Sequence, residues 1–556
     1  MAGVISLLIY LLIAWVIIEP NAVWSVDTGA KWLQLENLRW ENGRLAFNIQ
    51  YPNQENDPSF LFAHNFTMSS LLGIVDGQLH LRRLPFFPLL TLPFYRLWGA
   101  YGLYVLPALG GAALSTLTLG CIPRPYRRFS MWLLIAFASP VCIYALLFWE
   151  HTPAAALTLF AVWWALRASP LTQPTKAWQW IGIGIIMGLA AYLRLEVLIF
   201  SLTFLGSYWL LSPTHRWALV LAGMVLILVM LPYQPLHAVL FGQPMPENAT
   251  YVVRPGVYME TARWQAITDL LIGTSLAQAA ETGWQGLVWA ITAVIAILLS
   301  LLPLPTDWVR WGQWGAMGVT AVMAATFLFR PIYYAAAHGL LFTTPWLLLA
   351  ICRSRELWQT NHIQLRIITL TTTLGLLGYA IAIVGVRFGP PHGGLEWGAR
   401  FAIVFYPFLA IMAGWDFKLH KSSVVAMVII GMLIALGVGF QMRGVSLIQQ
   451  SKRINHELYQ AMLQTAEPTI LTDLQWLPLI SAPIYYQKNI YLIGENNLSD
   501  WVEMAAEHEL NHFTLITFNG RVPQQITQQT PDYKVIIQDV RQFGHFIIFS
   551  LTLNPL

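Results

Sequence analysis

Charge is scarce in this chain, and the few charged residues fall where chemistry could be done: Asp27, Glu150-His151, Arg194-Leu195-Glu196 and Arg400. A carboxylate can take a proton from an attacking hydroxyl or amine, and a guanidinium matches phosphate oxygens two at a time. Asp27 lies just beyond the first apolar run, and Glu150-His151 ends the third. Arg194 and Glu196 interrupt an apolar stretch from Ile181 to Leu211. Arg400 closes the run His392-Gly-Gly-Leu-Glu396-Trp397-Gly-Ala-Arg400, whose glycines (Gly393, Gly394, Gly398) allow close backbone approach to a ligand. The hydrocarbon region of a bilayer penalises every unneeded charge. Acids and arginines gathered at one membrane face therefore read as an active site.

Each of these residues also has a plain structural reading. Asp27 suits the N-cap of a helix, and Glu150 suits an interfacial turn between Trp149 and Pro153. Arg194 and Glu196 can neutralise each other, and Arg400 can snorkel at a span boundary. On the functional reading, Asp27 is a general base, and His151 orients a carboxylate or an acceptor. Arg194 and Arg400 then grip a lipid phosphate. Arg82 and Arg83 are weaker candidates, as headgroup contacts or loop salt bridges.

The elements that must position these residues follow from composition. The chain has 556 residues, 56% hydrophobic and 10% charged, with 25 Trp. A soluble domain carries about 25% charged residues, so the pattern is that of a polytopic α-helical membrane protein. On a template of about 20 apolar residues per span, about 13 transmembrane helices are expected. They lie near residues 3–19, 100–121, 130–149, 152–168, 179–194, 195–212, 217–235, 283–303, 313–330, 335–352, 363–387, 400–416 and 422–441. The first span has no basic residue before it and no small-residue cleavage site after it, so a retained helix is expected rather than a cleaved leader.

Arg124, Arg127, Arg128, Arg167, Lys176, Arg216, Arg310, Arg353, Arg355, Lys418 and Lys421 fall in alternate short loops. The positive-inside rule then sets the N-terminus in the cytoplasm and the C-terminus outside. Asp27, Glu150, Arg194 and Arg400 come out on the same, outer side.

The expected division is residues 1–443 as the membrane domain and 444–556 as a small extracytoplasmic α/β domain. Two outer segments, 20–85 and 236–282, interrupt the first part. The outer loop opens with a helix from Ser25 to Gln34 whose Leu33, with Leu38 beyond it, suits a bilayer surface. The tail alternates strand-like runs beginning at Thr469, Ile490, Phe513, Val535 and Phe546 with a helical stretch from Asp500 to Leu510.

Other chemistry is excluded by what the sequence lacks. Cys121, Cys142 and Cys352 sit in or beside apolar runs, without the spacing of metal ligands or a disulfide framework. No glycine-rich loop followed by Lys-Ser/Thr supports ATP-driven transport. No metal or other cofactor is indicated, with divalent-metal dependence left open, and nothing indicates a nucleophilic triad or a nucleic-acid partner. The sequons at Asn65, Asn248 and Asn497 are short patterns expected by chance in this length.

Five local patterns in one order resemble the GT-C glycosyltransferase superfamily, nearest to bacterial relatives of protein O-mannosyltransferases and of the aminoarabinose transferase that modifies lipid A. They are Val26-Asp27-Thr-Gly-Ala-Lys-Trp-Leu-Gln34, Phe148-Trp-Glu150-His151-Thr-Pro153, Leu193-Arg194-Leu-Glu196, Phe241-Gly-Gln-Pro244 and Gly393-Gly-Leu-Glu396-Trp397-Gly-Ala-Arg400-Phe. The resemblance spans residues 20–407, and the tail adds only a general likeness.

It implies transfer of a hexose or pentose from a polyprenyl-phosphate donor to a lipid, protein or glycan acceptor, outside the cytoplasm and with inversion. A bacterial inner membrane is the implied setting. Asp27 matches the family's catalytic base, and Glu150, with His151 beside it, the second acid. Arg194, Arg400 and Arg83 would bind the lipid phosphate; Glu196, Glu396, Trp397 and His392 would contact substrate. Thr28 stands where several relatives carry a second acid, and Leu195 where a Pro is common. The first departure puts paired-carboxylate and metal-bridging mechanisms in doubt.

A transporter or flippase of a polyprenyl-linked lipid is the competing class. It would need broken helices and midplane charges, often in repeated halves. No repeat is visible, and the ionisable residues favour one face.

Overall fold

The computed structural model describes residues 1–41, 43–63, 72–81, 83–121, 129–168, 176–241, 284–301, 307–329, 339–385, 397–414, 424–494, 497–518, 526 and 533–555. The chain divides into two compact units. The first comprises Met1–Ile18, Phe94–Leu236 and Asn248–Ile448; the second comprises Glu19–Pro93, His237–Glu247 and Gln449–Leu556.

Leu-, Ile-, Val- and Ala-rich stretches make the helices. In chain order they begin with α1 (Ala2–Leu12), α2 (Val26–Glu36), α3 (Phe86–Trp98), α4 (Val105–Gly120), α5 (Phe129–Ala136) and α6 (Val141–Tyr144). Next come α7 (His151–Ala168), α8 (Ala177–Leu193), α9 (Val197–Leu211), α10 (Arg216–Met230) and α11 (Tyr233–Phe241). After the second outer segment follow α12 (Trp284–Leu301), α13 (Asp307–Leu328), α14 (Leu340–Thr343), α15 (Leu347–Trp358), α16 (Ile363–Gly385), α17 (Tyr406–Gly414) and α18 (Val424–Leu463).

Among the described residues three helical runs are long and apolar enough to cross a membrane: Phe86–Gly120, Pro213–Phe241 and Val424–Leu463. Shorter apolar helices cover Ala2–Ile17, Ala177–Leu193, Val197–Leu211, Leu287–Ser300 and Arg400–Gly414. Within the first unit α4 packs on α1 and α7, α8 on α7 and α10, and α9 on α16.

Several expected spans are broken. The span at 130–149 is no single helix: α5 stops at Ala136, Pro140 follows, and only the short α6 resumes. Proline lacks the amide proton that a continuing helix needs. The span opening at Arg400 starts as a 3₁₀ turn, Arg400–Phe405, before α17. In contrast α18 runs unbroken for 40 residues, past the expected span end at 441.

The second unit gathers the first outer loop with the tail. Its first element, α2, is buried from Thr28 to Leu35, and Leu33 and Leu38 are buried with it. The expected bilayer-surface helix is thus an interior helix, because its apolar side packs against α19 (Leu477–Ile480) instead of lipid. Two hairpins follow that the sequence did not announce: β1–β2 (Arg39–Glu41, Arg44–Ala46) and β3–β4 (Leu72–Val75, Gln78–Leu81).

The tail forms the expected α/β layer. Strands β5 (Thr469–Thr472), β6 (Asn489–Leu492), β7 (His512–Thr517), β8 (Tyr533–Phe543) and β9 (Phe546–Pro555) make one sheet in the order β6-β5-β7-β9-β8. The pairings of β5 with β6 and with β7 are parallel; β9 pairs antiparallel with β7 and β8. Helix α20 (Leu498–Glu507) supplies Trp501 and Val502 to a core with Leu471, Phe513, Leu515 and Leu551. Phe62 of the first outer loop joins that core, and its carbonyl accepts the Leu492 amide at 2.8 Å. Asn53 Nδ2 likewise donates to the Ile490 carbonyl at 3.0 Å.

His80 of β4 packs edge-on against Phe47 (centroids 5.6 Å apart) and against Phe241 of α11 (6.3 Å). Burial lowers its pKa; Asp76 pulls weakly the other way. The unfolded chain therefore binds more protons than the folded one as pH falls through the ordinary imidazole value of about 6.5, and stability is lost in that direction. The unfolding temperature of the purified protein is expected to drop between about pH 7.5 and about pH 5.5, and to drop less in His80→Phe, which keeps the ring packing. An unchanged pH dependence in that variant would exclude His80 as the group responsible.

Candidate functional site

In the first unit the expected residues meet where three helices begin or end. Helix α8 stops at Arg194, whose backbone turns extended (φ −149°, ψ 113°), and Glu196 directly precedes α9. Glu150 directly precedes α7, where its carbonyl accepts the Ala154 amide at 3.0 Å. Thr152 fastens that corner by donating from Oγ1 to the Pro107 carbonyl at 2.9 Å.

Side chains from all three corners then converge. Arg194 Nη1 lies 2.9 Å from Glu150 Oε1, and its Nε and Nη2 each lie 2.6 Å from Glu196 Oε1. One guanidinium thus spans two carboxylates through charge-assisted hydrogen bonds, in a setting where all three side chains are at most 15% exposed. The mutual-neutralisation reading of Arg194 and Glu196 is right as far as it goes, and it extends to Glu150.

Arg400 reaches the same neighbourhood through rings. Its guanidinium sits 4.6 Å from the Phe401 centroid and 5.3 Å from that of Trp149, while Arg194 lies 5.3 Å from Phe401. His151 packs against both Tyr144 (5.1 Å) and Trp149 (5.3 Å), which stack on each other at 5.5 Å, with Phe401 at 6.3 Å. Trp397 is fully buried, and its amide donates to Tyr144 Oη at 3.2 Å. Gly398 makes the approach possible: its φ is +65°, and a Cβ there would meet Pro140 Cγ at 2.4 Å.

The result is a buried cation on aromatic faces, next to an arginine already held by two acids. Such low-dielectric surroundings strengthen attraction for an anion. The sequence reading missed Tyr144 and Phe401, and Trp149 passed as an interfacial anchor; the signal was the density of aromatics around Glu150. His392, Glu396, Gly393 and Gly394, like Arg82 and most of the 236–282 segment, lie outside the described residues.

Asp27, in the second unit, has its own setting. Ser25, not Asp27, caps α2: its Oγ accepts the Thr28 amide at 3.3 Å. Asp27 occupies the first turn, where the helix dipole favours an acid. Arg83 Nη2 stands 3.8 Å from Asp27 Oδ1, beyond direct hydrogen-bond reach. One turn on, Lys31 is buried with its Nζ 5.9 Å from the Phe87 ring, and Gln34 Nε2 donates to the Arg83 carbonyl at 3.1 Å.

The seat of the helix is set by Gly29: a Cβ there would lie 1.8 Å from the Leu479 carbonyl oxygen. Among the described residues no group of three His, Cys, Asp or Glu side chains is placed to hold a metal ion.

Two perturbations check these arrangements. Glu150→Ala takes one charge-assisted hydrogen bond from the buried Arg194 guanidinium, which keeps Glu196, and is expected to cost about 2 kcal/mol of stability, read by thermal unfolding in detergent. Gly29→Ala forces α2 off its neighbour and is expected to cost about 2 kcal/mol, with lost resistance to proteolysis of the 19–93 loop. Wild-type stability in either variant would contradict the corresponding contact.

In overall structure the chain is similar to ArnT from Cupriavidus metallidurans bound to undecaprenyl phosphate. The two are 10% identical over 98% of this chain and 97% of that one, with a TM-score of 0.51. The apo structure of the same ArnT aligns over the same shares at 13% identity and a TM-score of 0.43. No protein-family model and no curated protein matches the sequence. What the likeness shows is the fold: the chain has the architecture of ArnT across almost its whole length.

Proposed function

We propose that this protein is an integral-membrane glycosyltransferase that moves a sugar from a polyprenyl-phosphate donor to an acceptor on the extracytoplasmic face. The observation that carries the reading is the buried Arg400, seated on Trp149 and Phe401 beside the Glu150–Arg194–Glu196 triad, in a chain with the fold of ArnT. A solved ArnT structure holds undecaprenyl phosphate, and a lipid phosphate of that kind is the anion proposed here. The proposed setting is a bacterial inner membrane, N-terminus inside and tail outside, with 1–443 as the membrane domain and 444–556 as the tail domain.

In the proposed step the acceptor oxygen or nitrogen attacks the anomeric carbon from the side opposite the phosphate. The bond between that carbon and the phosphate oxygen breaks, and the configuration inverts. The departing lipid phosphate is already an anionic leaving group, so it needs positive charge and no general acid, unlike the aglycone of a hydrolysed glycoside. Arg400 supplies that charge. Arg194, fixed by its two acids, adds a second guanidinium whose position is set by Glu150 and Glu196. Those two acids act here as positioning residues, and His151 and Trp397 shape the aromatic wall. His392 and Glu396 keep the proposed role of substrate contacts.

Asp27 is the proposed base that takes the acceptor proton, with Arg83 steadying its carboxylate. The sugar remains a hexose or pentose, and the acceptor a lipid, protein or glycan.

Release of polyprenyl phosphate from a short-chain polyprenyl-phosphate hexose, in the presence of an acceptor-containing membrane extract, measures the reaction directly. Asp27→Asn, which keeps the shape and removes the base, is expected to lower kcat by about 100-fold or more at unchanged thermal stability. Arg400→Gln is expected to lower kcat/KM by about 100-fold or more, since it weakens the departing anion's main partner. Wild-type release in a folded Asp27→Asn variant would remove Asp27 from the mechanism. Tight lipid binding without release from any hexose donor would favour a transporter.

A further inference from the structure

The tail domain carries an aromatic cluster at one edge of its sheet that the proposed transfer step does not use. Trp476 follows β5, Phe518 follows β7, and Phe543 and Phe546 flank the turn from β8 to β9. The register Thr472–Ile516 and Thr517–Ile547 brings all four to the same end, at the carboxyl ends of the parallel strands β5 and β7. The rings of Phe518 and Phe546 stack at 4.9 Å and 21°, and those of Phe543 and Phe546 at 6.5 Å and 18°. Trp476 lies 5.9 Å from both Phe518 and Phe546.

Phe546 is buried, but Phe518 is 50% exposed, and Trp476 and Phe543 are half-buried. The edge therefore leaves a partly open apolar step of near-parallel rings.

An acid stands beside it. Asp473, three residues before Trp476, accepts the Thr517 hydroxyl on Oδ2 at 2.9 Å. Its Oδ1 is buried with no hydrogen-bond partner. Burial pushes the carboxyl pKa up, against the opposing pull of the Thr517 hydrogen bond.

Open α/β sheets take ligands in the crevice outside the carboxyl ends of their strands. Exposed rings with a buried acceptor beside them suit a ligand that has both an apolar face and hydroxyl donors. A pyranose has both: a face of C–H groups that lies flat on a ring, and hydroxyls around its rim. A bilayer would cover the rings as well, but it would gain nothing from the Asp473 acceptor and would pay to approach it.

We propose that the edge formed by Trp476, Phe518 and Phe543, with Asp473 beside it, is a binding site for a pyranose unit of the acceptor. The choice of a sugar as ligand rests on reading the chain as a glycosyltransferase. The tail domain then holds the acceptor chain and raises its local concentration, a role separate from catalysis.

The test is saturation-transfer NMR on the full-length protein in detergent, with cellobiose, maltose and methyl α-mannopyranoside as probes. Saturation of the pyranose C–H protons is expected for at least one of the three. Its affinity is expected to fall about fivefold to tenfold in Phe518→Ala, whose half-exposed ring can be removed without opening the core. Phe518→Trp is expected to keep it, and Asp473→Ala to weaken it. Absence of saturation with all three sugars, or wild-type affinity in both Phe518→Ala and Asp473→Ala, would overturn the site.

Broadening of a fluorinated Phe518 by spin-labelled lipid in a nanodisc would place the rings in a bilayer and overturn it too. The readout needs neither donor nor turnover. Sugar binding by a chain that releases no polyprenyl phosphate would sink the transferase reading alone; release without sugar binding would sink this site alone.

Discussion

A guanidinium in an apolar bundle has to be matched, and the first unit is arranged around that requirement at Arg194. Two carboxylates meet it from opposite sides of the sequence, Glu150 from the start of α7 and Glu196 from the start of α9. Both are placed by helix ends, so the break between α8 and α9 and the short turn before α7 are parts of one electrostatic solution. Replacing Arg194 leaves two buried acids without their cation, which costs more than the intact set contributes. The same arrangement restricts what Arg194 can do for a ligand. Its donors are directed at two acids, and Arg400 beside it lies against aromatic faces, which stabilise a cation.

A steric constraint has the same standing in the second unit. Helix α2 lies so close to the Leu479 carbonyl that only glycine fits at position 29. That contact fixes the first turn and with it Asp27. The first outer loop is held to the tail by further backbone and side-chain bonds, including Phe62 to Leu492, Asn53 to Ile490 and Asn497 Nδ2 to the Leu61 carbonyl at 3.4 Å. Residues more than 400 positions apart thus make one folded body, and the setting of the proposed base depends on the tail as much as on its own helix.

These contacts give the small α/β tail two separable tasks. Its interior face, through α19 and β6, supports the loop that carries Asp27. The ends of β5 and β7 present partly open rings and an acid, the proposed sugar site.

Much of this was legible in the chain itself. Apolar runs separated by turn residues located all five tail strands and α20, because strands buried on both faces, as β5, β6 and β7 are, read as short continuous apolar runs. Scarce charge located Glu150, Arg194, Glu196 and Arg400, because an apolar environment tolerates charge only where partners exist. Ser25 as the cap of α2 in place of Asp27 turns on a single hydroxyl, and neighbouring residues of both types carry the same local signal.

The burial of α2, the two hairpins of the outer loop and the break after α5 were decided by tertiary structure. An amphipathic helix has the same pattern whether a bilayer or a protein covers its apolar side. The pairing of Arg194 with Glu150, 44 residues away, and the rings around Arg400 likewise depend on which helix ends meet. Sequence determines which groups need partners; only the packed fold determines which partners they receive.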